Sequence, residues 1–349
     1  MNKNNKQLWL VAAFAVVYIV WGTTYLAMKI GLETIPPFTL GAIRYLVAGL
    51  GTFAVLRLIG VANPSLRQWR SASIVGLFLM VGGNGLVMVA IEHGLPSGIA
   101  AVIVATMPLW MVVFDWLFYR GSRPGLIVFI GLIIGFVGIV LLTDPFGSMD
   151  DSAALSVVAC LICMMAPLFW SLGSLHSRKM DLPDNVLMSV AVQMLSGAVV
   201  FSLITLLTGE LNGFDFGTVS WRSILAIAHL ILFGSILALP TYMWLLRNAP
   251  AARVSTYTYV NPVIAVLLGW LVLSEVVTAQ MWGAISMVLI AVVLIVSNRS
   301  NTKATGKPQD DQSPGSDACD DGESPDGKCT LPNKSTASET GRPSINSKC

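Results

Sequence analysis

Long runs of apolar residues, separated by short polar or proline-containing connections, organise most of this chain. A helix that crosses a membrane needs about 20 mostly apolar residues. Ten runs reach that length, at 8–28, 38–58, 72–91, 97–118, 125–143, 153–176, 186–207, 223–246, 252–273 and 277–297. The pattern therefore predicts an all-α integral membrane protein with ten transmembrane helices.

The two ends of the chain differ from this pattern. The first apolar run is longer than the core of a signal peptide and lacks a small-residue cleavage pattern, so we interpret it as the first span. Residues 1–7 precede it as a short N-terminal segment. From Asn298 onward, small and polar residues replace apolar ones, and we expect 298–349 to be a disordered tail.

Basic residues in the connections predict the orientation of the spans. With ten spans, thirteen Lys and Arg residues fall on the side of the N-terminus, and only Lys29 and Arg222 fall opposite. The thirteen are Lys3, Lys6, Arg57, Arg67, Arg70, Arg120, Arg123, Arg178, Lys179, Arg247, Arg253, Arg299 and Lys303. Because cytoplasmic connections carry the excess of Lys and Arg, both termini are expected to be cytoplasmic.

The second half of the chain repeats features of the first. Trp21 and Arg44 recur as Trp170 and Gln193, both 149 residues later. The hairpin prolines recur 154 residues later, Pro96 and Pro108 as Pro250 and Pro262. Five spans per repeat is an odd number, so the second copy must be inverted in the membrane. Inverted repeats are common in secondary transporters, whose substrate sites lie near the midplane.

The repeat divides the chain into consecutive segments. We expect a first five-helix repeat over 8–143, an extracytoplasmic linker over 144–152 and a second five-helix repeat over 153–297. The short N-terminus and the tail complete the chain. The expected architecture is therefore two inverted five-helix repeats.

Composition agrees with a membrane protein. Hydrophobic residues make up 55% of the chain and charged residues 11%, and the mean hydropathy is +0.73. A soluble protein carries about 25% charged residues. The five cysteines match no metal-binding spacing, and the net charge of +2 does not indicate a nucleic-acid partner. We expect no metal and no cofactor.

Sequence motifs argue against an enzyme. The chain has no His-Glu-x-x-His pattern, no phosphate-binding Walker loop and no nucleophile elbow. Two alternatives to transport stay open. One is a membrane-embedded enzyme built on Glu92 and His93, and the other is a regulatory membrane protein that signals through its polar tail.

Polar and aromatic side chains inside the spans are the candidates for substrate binding. They are densest between Tyr242 and Pro262, and such groups are tolerated at membrane depth where they face protein or a water-filled cavity. Hydrogen bonds between helices are the alternative explanation. The cavity candidates are Trp21, Thr24, Tyr25, Asn84, Thr106, Trp170, Ser174, Tyr242, Ser255, Tyr257, Thr258, Tyr259 and Asn261.

A few other residues suggest gating or coupling. Pro108 and Pro262 remove backbone hydrogen bonds from their helices and are candidates for gating kinks. Glu92 and His229 are the candidates for proton coupling, although no acid lies near the middle of a span. Arg44, seven residues into its span, either extends to the interface, pairs with Glu33 or contacts substrate.

Several motifs resemble those of the drug/metabolite transporter superfamily, EamA type, in its ten-span branch, and within it the YedA-like group of bacterial exporters. The resemblance covers 8–297. Its motifs are Trp21-Gly22-Thr23-Thr24-Tyr25, Arg44-Tyr45-Leu46, Leu95-Pro96-Ser97-Gly98, Met107-Pro108-Leu109, Tyr257 to Pro262, Gly269 and Ser274-Glu275.

The resemblance implies an inner-membrane permease with a central cavity. That cavity would be formed chiefly by spans 3, 4, 8 and 9, with contributions from 1 and 6. Members of the superfamily export amino acids, their metabolites or other small solutes. We therefore expect a multi-pass bacterial inner-membrane exporter working by alternating access, whose partners are a small, planar or aromatic substrate and the lipid bilayer. Whether the protein forms a homodimer is left open by the sequence.

Overall fold

The computed structural model describes residues 3–119, 151–212 and 214–274, with scattered positions between 121 and 137 and between 279 and 290. Side chains are not described at 3–6, 151–156, 252, 253 and 259. The predicted spans 125–143 and 277–297 lie largely outside the described residues, as does most of the linker. The tail lies wholly outside them. Within the described ranges, all regular secondary structure is helical.

Seven described helices are long and apolar enough to cross a membrane. They are Gln7–Gly31, Pro37–Leu58, Leu66–Glu92, Ser97–Tyr119, Val157–Ser177, Val186–Thr208 and Trp221–Asn248, with a shorter apolar helix at Val260–Leu273. Large apolar side chains cover their outer surface, and Leu207, for example, is 86% exposed. Because a water-soluble surface rarely exposes so much apolar area, the protein is a multi-pass helical membrane protein.

Several of these spans are interrupted, so the individual elements are shorter. The α-helices are α1 (Lys3–Gly31), α2 (Pro37–Leu58), α3 (Leu66–Gly76), α4 (Leu86–Glu92), α5 (Ser97–Val104), α6 (Met107–Tyr119), α7 (Asp151–Ser177), α8 (Val186–Thr208), α9 (Trp221–His229), α10 (Leu239–Asn248), α11 (Ala251–Val254) and α12 (Tyr257–Leu273). A first π-helical segment (Leu77–Gly85) joins α3 to α4, and a second (Leu230–Ala238) joins α9 to α10.

Local sequence explains where the helices begin and end. Ser65 forms a reciprocal capping box with Gln68 at the start of α3, and Asn185 caps α8 by accepting from the backbone of Met188. Gly209 ends α8 in the left-handed conformation, at φ 71°. These side chains and turns satisfy backbone groups that a helix end leaves unpaired.

Glu210, just beyond α8, caps the neighbouring helix α2. Its carboxylate accepts hydrogen bonds from the backbone N–H groups of Phe38 and Thr39 at 3.1 and 2.8 Å. An anion at this end of α2 also interacts favourably with the helix dipole. The bond links α8 to α2, and these two helices pack along most of their length.

Helix α1 lies at the centre of the packing. It contacts α12 along much of its length, and it also touches α5, α9, α10 and the second π-helical segment. The first π-helical segment packs on α7, and α3 packs on α8. Elements from both halves of the chain therefore surround α1, and the space between them contains the candidate site.

Interruptions occur at corresponding places in the two halves. The two π-helical segments have nine residues each and lie about 150 residues apart. The same separation relates the break between α5 and α6, at Ala105 and Thr106, to the break between α11 and α12, at Ser255 and Thr256. Such interruptions of regular helix are frequent at functional sites.

Candidate functional site

A cavity of about 50 Å³ lies between the helices around α1. Its walls come from α1, α2, α4, α5, α7, α10, α12 and both π-helical segments. The lining residues are Trp21, Thr24, Tyr25, Met28, Arg44, Tyr45, Met80, Gly83, Asn84, Val87, Val104, Ala166, Trp170, Gly234, Leu239, Tyr257 and Asn261. The cavity is mainly apolar and aromatic, with a few polar groups, which is typical of small-molecule sites.

Four aromatic rings form a cluster, and three of them line the cavity. The ring of Trp21 lies 5.3 Å from that of Trp170 and 4.9 Å from those of Tyr242 and Tyr257, measured between ring centroids. The indole N–H of Trp170 donates to the hydroxyl of Tyr242 at 3.1 Å. We call these four residues the aromatic cluster. It joins α1, α7, α10 and α12 by side-chain contacts, at distances typical of favourable ring pairs.

Glycines allow the first π-helical segment to approach α7 closely. A Cβ atom on Gly83 would lie 2.5 Å from Cε3 of Trp170, and one on Gly82 would lie 2.5 Å from Cγ of Phe169. Real Cβ atoms do not come so close to other heavy atoms. The glycines therefore fix how near Trp170 lies to the opposite wall of the cavity.

Arg44 supplies the cationic group of the cavity. It is 3% exposed, and its Nε donates to the hydroxyl of Ser235 at 2.9 Å. Its guanidinium carbon lies 4.8 Å from the ring centroid of Tyr45, within the range of a cation–π contact. Pairing with Glu33 is excluded, because Glu33 lies 3.5 Å from Arg222 instead. Arg44 also does not extend to the membrane interface, because it is buried in the cavity wall.

The structure brings seven of the sequence-predicted site residues into the cavity wall. They are Trp21, Thr24, Tyr25, Asn84, Trp170, Tyr257 and Asn261. With its amide oriented to suit its neighbours, Asn261 donates to the backbone carbonyls of Tyr257 and Tyr18, both at 3.1 Å. This bond ties α12 to α1 directly beside the aromatic cluster.

Other predicted site residues are buried but lie outside the cavity wall. The hydroxyls of Thr106, Ser174 and Thr258 donate to backbone carbonyls three or four residues earlier, at 2.7 to 2.8 Å. Tyr242 is in the aromatic cluster behind Trp21, and the hydroxyls of Ser174 and Tyr242 are 2.7 Å apart. Ser255 is fully buried at the break before α12. The side chain of Tyr259 lies outside the described residues.

The predicted gating prolines occupy different positions in their helices. Pro108 is the second residue of α6, directly after the break between α5 and α6. Pro262 lies inside α12, six residues after the corresponding break. The two breaks, rather than the two prolines, therefore occupy equivalent places in the halves of the chain.

The candidates for proton coupling also lie apart from the cavity. Glu92 ends α4 and is exposed. His229 is half-buried, with its Nε2 atom 2.8 Å from the hydroxyl oxygen of Thr23. In the part of the chain that the structure describes, no group of His, Cys, Asp and Glu side chains could hold a metal ion.

Sequence reasoning did not select several residues that line the cavity. The sequence leaves the role of Arg44 open among three alternatives, indicates Tyr45 only as part of a family motif and does not single out Gly234. For Arg44 the available signal is a charged residue within a span, which is rarely placed there without a functional reason. Gly234 gives a weaker signal, because glycine is frequent in membrane helices.

The sequence is similar to those of proteins named as transporters. The model of the EamA-like transporter family matches residues 7–144 and again 157–297. The uncharacterized inner membrane transporter YedA of Escherichia coli K12 is 36% identical over 293 residues, covering 82% of this chain and 90% of YedA. The uncharacterized transporter YvbV of Bacillus subtilis is 26% identical over 306 residues, covering 84% and 93%.

A solved crystal structure is similar in fold. It is 19% identical, with a TM-score of 0.59, and the match covers 85% of this chain and 99% of that one. At this identity the match concerns the fold alone.

Proposed function

This chain belongs to the EamA-like transporter family, and we propose that it exports small planar or aromatic metabolites, such as amino acids, by alternating access. It is a multi-pass inner-membrane transporter. Both the matched family and the names of the relatives point to transport rather than catalysis. The proposal adds the substrate class, the direction and the mechanism.

The observation that carries the proposal is the composition of the cavity wall. Aromatic rings from α1, α7 and α12 line it together with a guanidinium, two amides and hydroxyl groups. Rings stack on planar solutes, while a small number of polar groups fix their orientation. A solute that is part aromatic and part polar fits this combination.

The volume of the cavity supports a mechanism with conformational change. At about 50 Å³ it is much smaller than a cavity of about 150 Å³ that binds benzene. An aromatic substrate therefore enters only if the surrounding helices move apart. The breaks at residues 105–106 and 255–256 and the two π-helical segments are places where such movement requires little loss of regular hydrogen bonding.

Two inverted repeats of five spans would let the cavity open alternately to the two sides of the membrane. The family model matches twice along the chain, and the helix interruptions recur about 150 residues apart. Both observations favour the repeat. In this arrangement the termini are cytoplasmic and the cavity lies where the two halves meet.

Solute flux from vesicles tests the proposed function. We expect the purified full-length protein to release at least one labelled aromatic or small amino acid from liposomes down its own gradient. Trp170→Ala should lower this flux at least tenfold without preventing insertion, because it removes a ring from the cavity wall. The measurement is repeated with and without a pH gradient, and over planar amines as well.

Empty liposomes provide the background for this flux. If no amino acid or planar amine moves faster than in empty liposomes under any gradient, the proposed substrate class is wrong. If flux requires a pH gradient, coupling through groups such as Glu92 or His229 becomes the explanation for energy supply. If it does not, facilitated diffusion or exchange is the mechanism.

Reporter fusions test the proposed topology. A reporter placed within 144–152 should be active only outside the cytoplasm, and one placed within 178–185 only inside it. The expectation follows from one span, α7, lying between the two positions. Activity of both reporters on the same side of the membrane would contradict the inverted repeat.

A further inference from the structure

Arg44 is a buried cation with incomplete hydrogen bonding. Its Nε atom is occupied by Ser235, but its Nη1 atom has no hydrogen-bond partner among the described residues. The hydroxyl of Tyr45, also part of the cavity wall, lacks a partner there too. Buried polar groups are normally paired, so two unpaired groups in one cavity wall indicate that something else binds there.

Described carboxylates do not neutralise Arg44. Within the described ranges the two ion pairs are Arg67 with Asp181 and Arg222 with Glu33. The carboxylate of Glu210 accepts hydrogen bonds from the backbone at the start of α2 instead. An unpaired charge in a low-dielectric interior is costly, and the cost falls when an anion and additional hydrogen bonds satisfy it.

Gly234 makes room for the guanidinium at the cavity wall. A Cβ atom on Gly234 would lie 3.1 Å from Nη2 of Arg44 and 3.2 Å from Cγ2 of Thr24. With Nε bound to Ser235, the other end of the guanidinium, where Nη1 has no partner among the described residues, is the part left for a ligand. Two parallel N–H groups at this end match the two oxygens of a carboxylate.

The chemistry of the site selects among anions. A phosphate carries close to two negative charges, whereas Arg44 is the one basic side chain among the described residues that line the cavity. A carboxylate carries a single charge and leaves the rest of the solute free to contact the aromatic wall. The match of one cation with one anionic group therefore favours an organic carboxylate.

We propose that Arg44 binds the carboxylate of the transported solute while its aromatic or apolar body contacts Trp21, Trp170 and Tyr257. This inference rests on the proposed function and narrows it. Carboxylates with an aromatic or apolar body are substrates, and planar amines without a carboxylate are not. Ser235 acts as a positioning residue, because it holds Nε and thereby orients the guanidinium.

Binding selectivity tests this role directly. The full-length protein is placed in lipid nanodiscs, and its affinity is measured for phenylalanine, tryptophan and leucine and for the primary amide of each. The wild-type protein should bind at least one acid about 10- to 100-fold more tightly than its amide, because a charged hydrogen bond is lost in the amide. Arg44→Gln should reduce this ratio to near one, while Arg44→Lys should retain part of it.

Arg57→Gln is the matched control, because Arg57 lies on the same helix but is exposed near its end. It should leave the acid-to-amide ratio unchanged. Gly234→Ala provides a second variant if Arg44→Gln folds poorly, since its methyl group would displace Nη2 and lower the ratio severalfold. A purely structural role for Arg44 would weaken acid and amide equally, and an unchanged ratio in these variants would overturn the proposal.

The outcomes also separate this proposal from the proposed function. Flux of amines and amides as fast as that of acids would leave transport intact and remove the role of Arg44. Tight, Arg44-dependent binding of acids without any flux would support the role of Arg44 and contradict the proposed transport. If none of the three acids binds to the wild-type protein, the carboxylate site is disproved.

Discussion

Gly76→Ala is expected to leave little correctly folded protein. A Cβ atom at Gly76 would lie 2.4 Å from the backbone oxygen of Gln193 and 2.8 Å from its Cα atom. These are backbone atoms inside α8, so no side-chain rotation relieves the overlap and α3 must move away from α8. Inserting a methyl group into packed structure typically costs about 1–3 kcal/mol, and a backbone clash belongs at the upper end.

Thermal unfolding and the monodisperse fraction of the purified protein measure this effect. Gly51→Ala is the matched control, because nothing lies within 4 Å of a Cβ atom at Gly51. Alanine is also the better helix former, so the control should keep or slightly raise the unfolding temperature. Equal behaviour of the two variants would contradict the close approach of α3 to α8.

Trp21→Ala is expected to cause the largest loss of transport. Trp21 contacts the other three members of the aromatic cluster, and its indole N–H lies 3.4 Å from the backbone oxygen of Gly234. Its removal leaves a void at the junction of α1, α7, α10 and α12, and Trp→Ala changes in packed interiors cost about 3–5 kcal/mol. Amino-acid flux should fall by at least tenfold.

Two variants distinguish a defect in the binding site from a loss of folded protein. Trp21→Phe keeps a ring in the cluster and should retain measurable flux. Trp9→Ala changes the same residue type on the same helix, but Trp9 is 62% exposed, so flux should stay near that of the wild type. If Trp9→Ala and Trp21→Ala reduce flux equally, the aromatic cluster has no specific role in transport.

The interruptions of the helices are concentrated around the cavity. Met80, Gly83 and Asn84 of the first π-helical segment line it, as does Gly234 of the second. Regular α-helix would present a different face of each span to the cavity. The π-helical segments therefore decide which side chains face the cavity, and the glycines within them allow the close approach of Trp170 and Arg44.

The helices themselves could be predicted from the apolar runs. Each of the seven described spans lies within a few residues of a predicted run, apart from a six-residue extension at Leu66. The reason is physical, because a backbone in a lipid bilayer must satisfy its hydrogen bonds within the span, and about 20 apolar residues are needed to cross. Length and hydropathy therefore contain most of the information about the position of each helix.

Repetition and aromatic content also indicated part of the site. Trp21 and Trp170 occupy related positions in the two halves, and the structure brings their rings to 5.3 Å in the wall of one cavity. Gly82 and Gly83 lie against α7, as expected of small residues that let two helices approach closely. Neither signal revealed the π-helical geometry, because the same residues are compatible with regular α-helix.

The sequence could not show which hydroxyl groups face the cavity. Thr106, Ser174 and Thr258 are candidates for the cavity, but each donates to a backbone carbonyl three or four residues earlier in the chain. A hydroxyl in an apolar span needs a partner, and a carbonyl three or four residues earlier is always within reach. Which hydroxyls face a cavity depends on the rotation of each helix, which is set by packing.

The sequence by itself determined that this chain is a helical membrane protein, where its spans lie and which family it resembles, because these follow from hydropathy, charge and short motifs. The tertiary structure alone decided the partners of Arg44. Glu33 is closer in sequence, yet it pairs with Arg222, while Ser235 from the other half of the chain binds the guanidinium. Partners so distant along the chain meet only when the helices pack, and that packing determines the chemistry of the cavity.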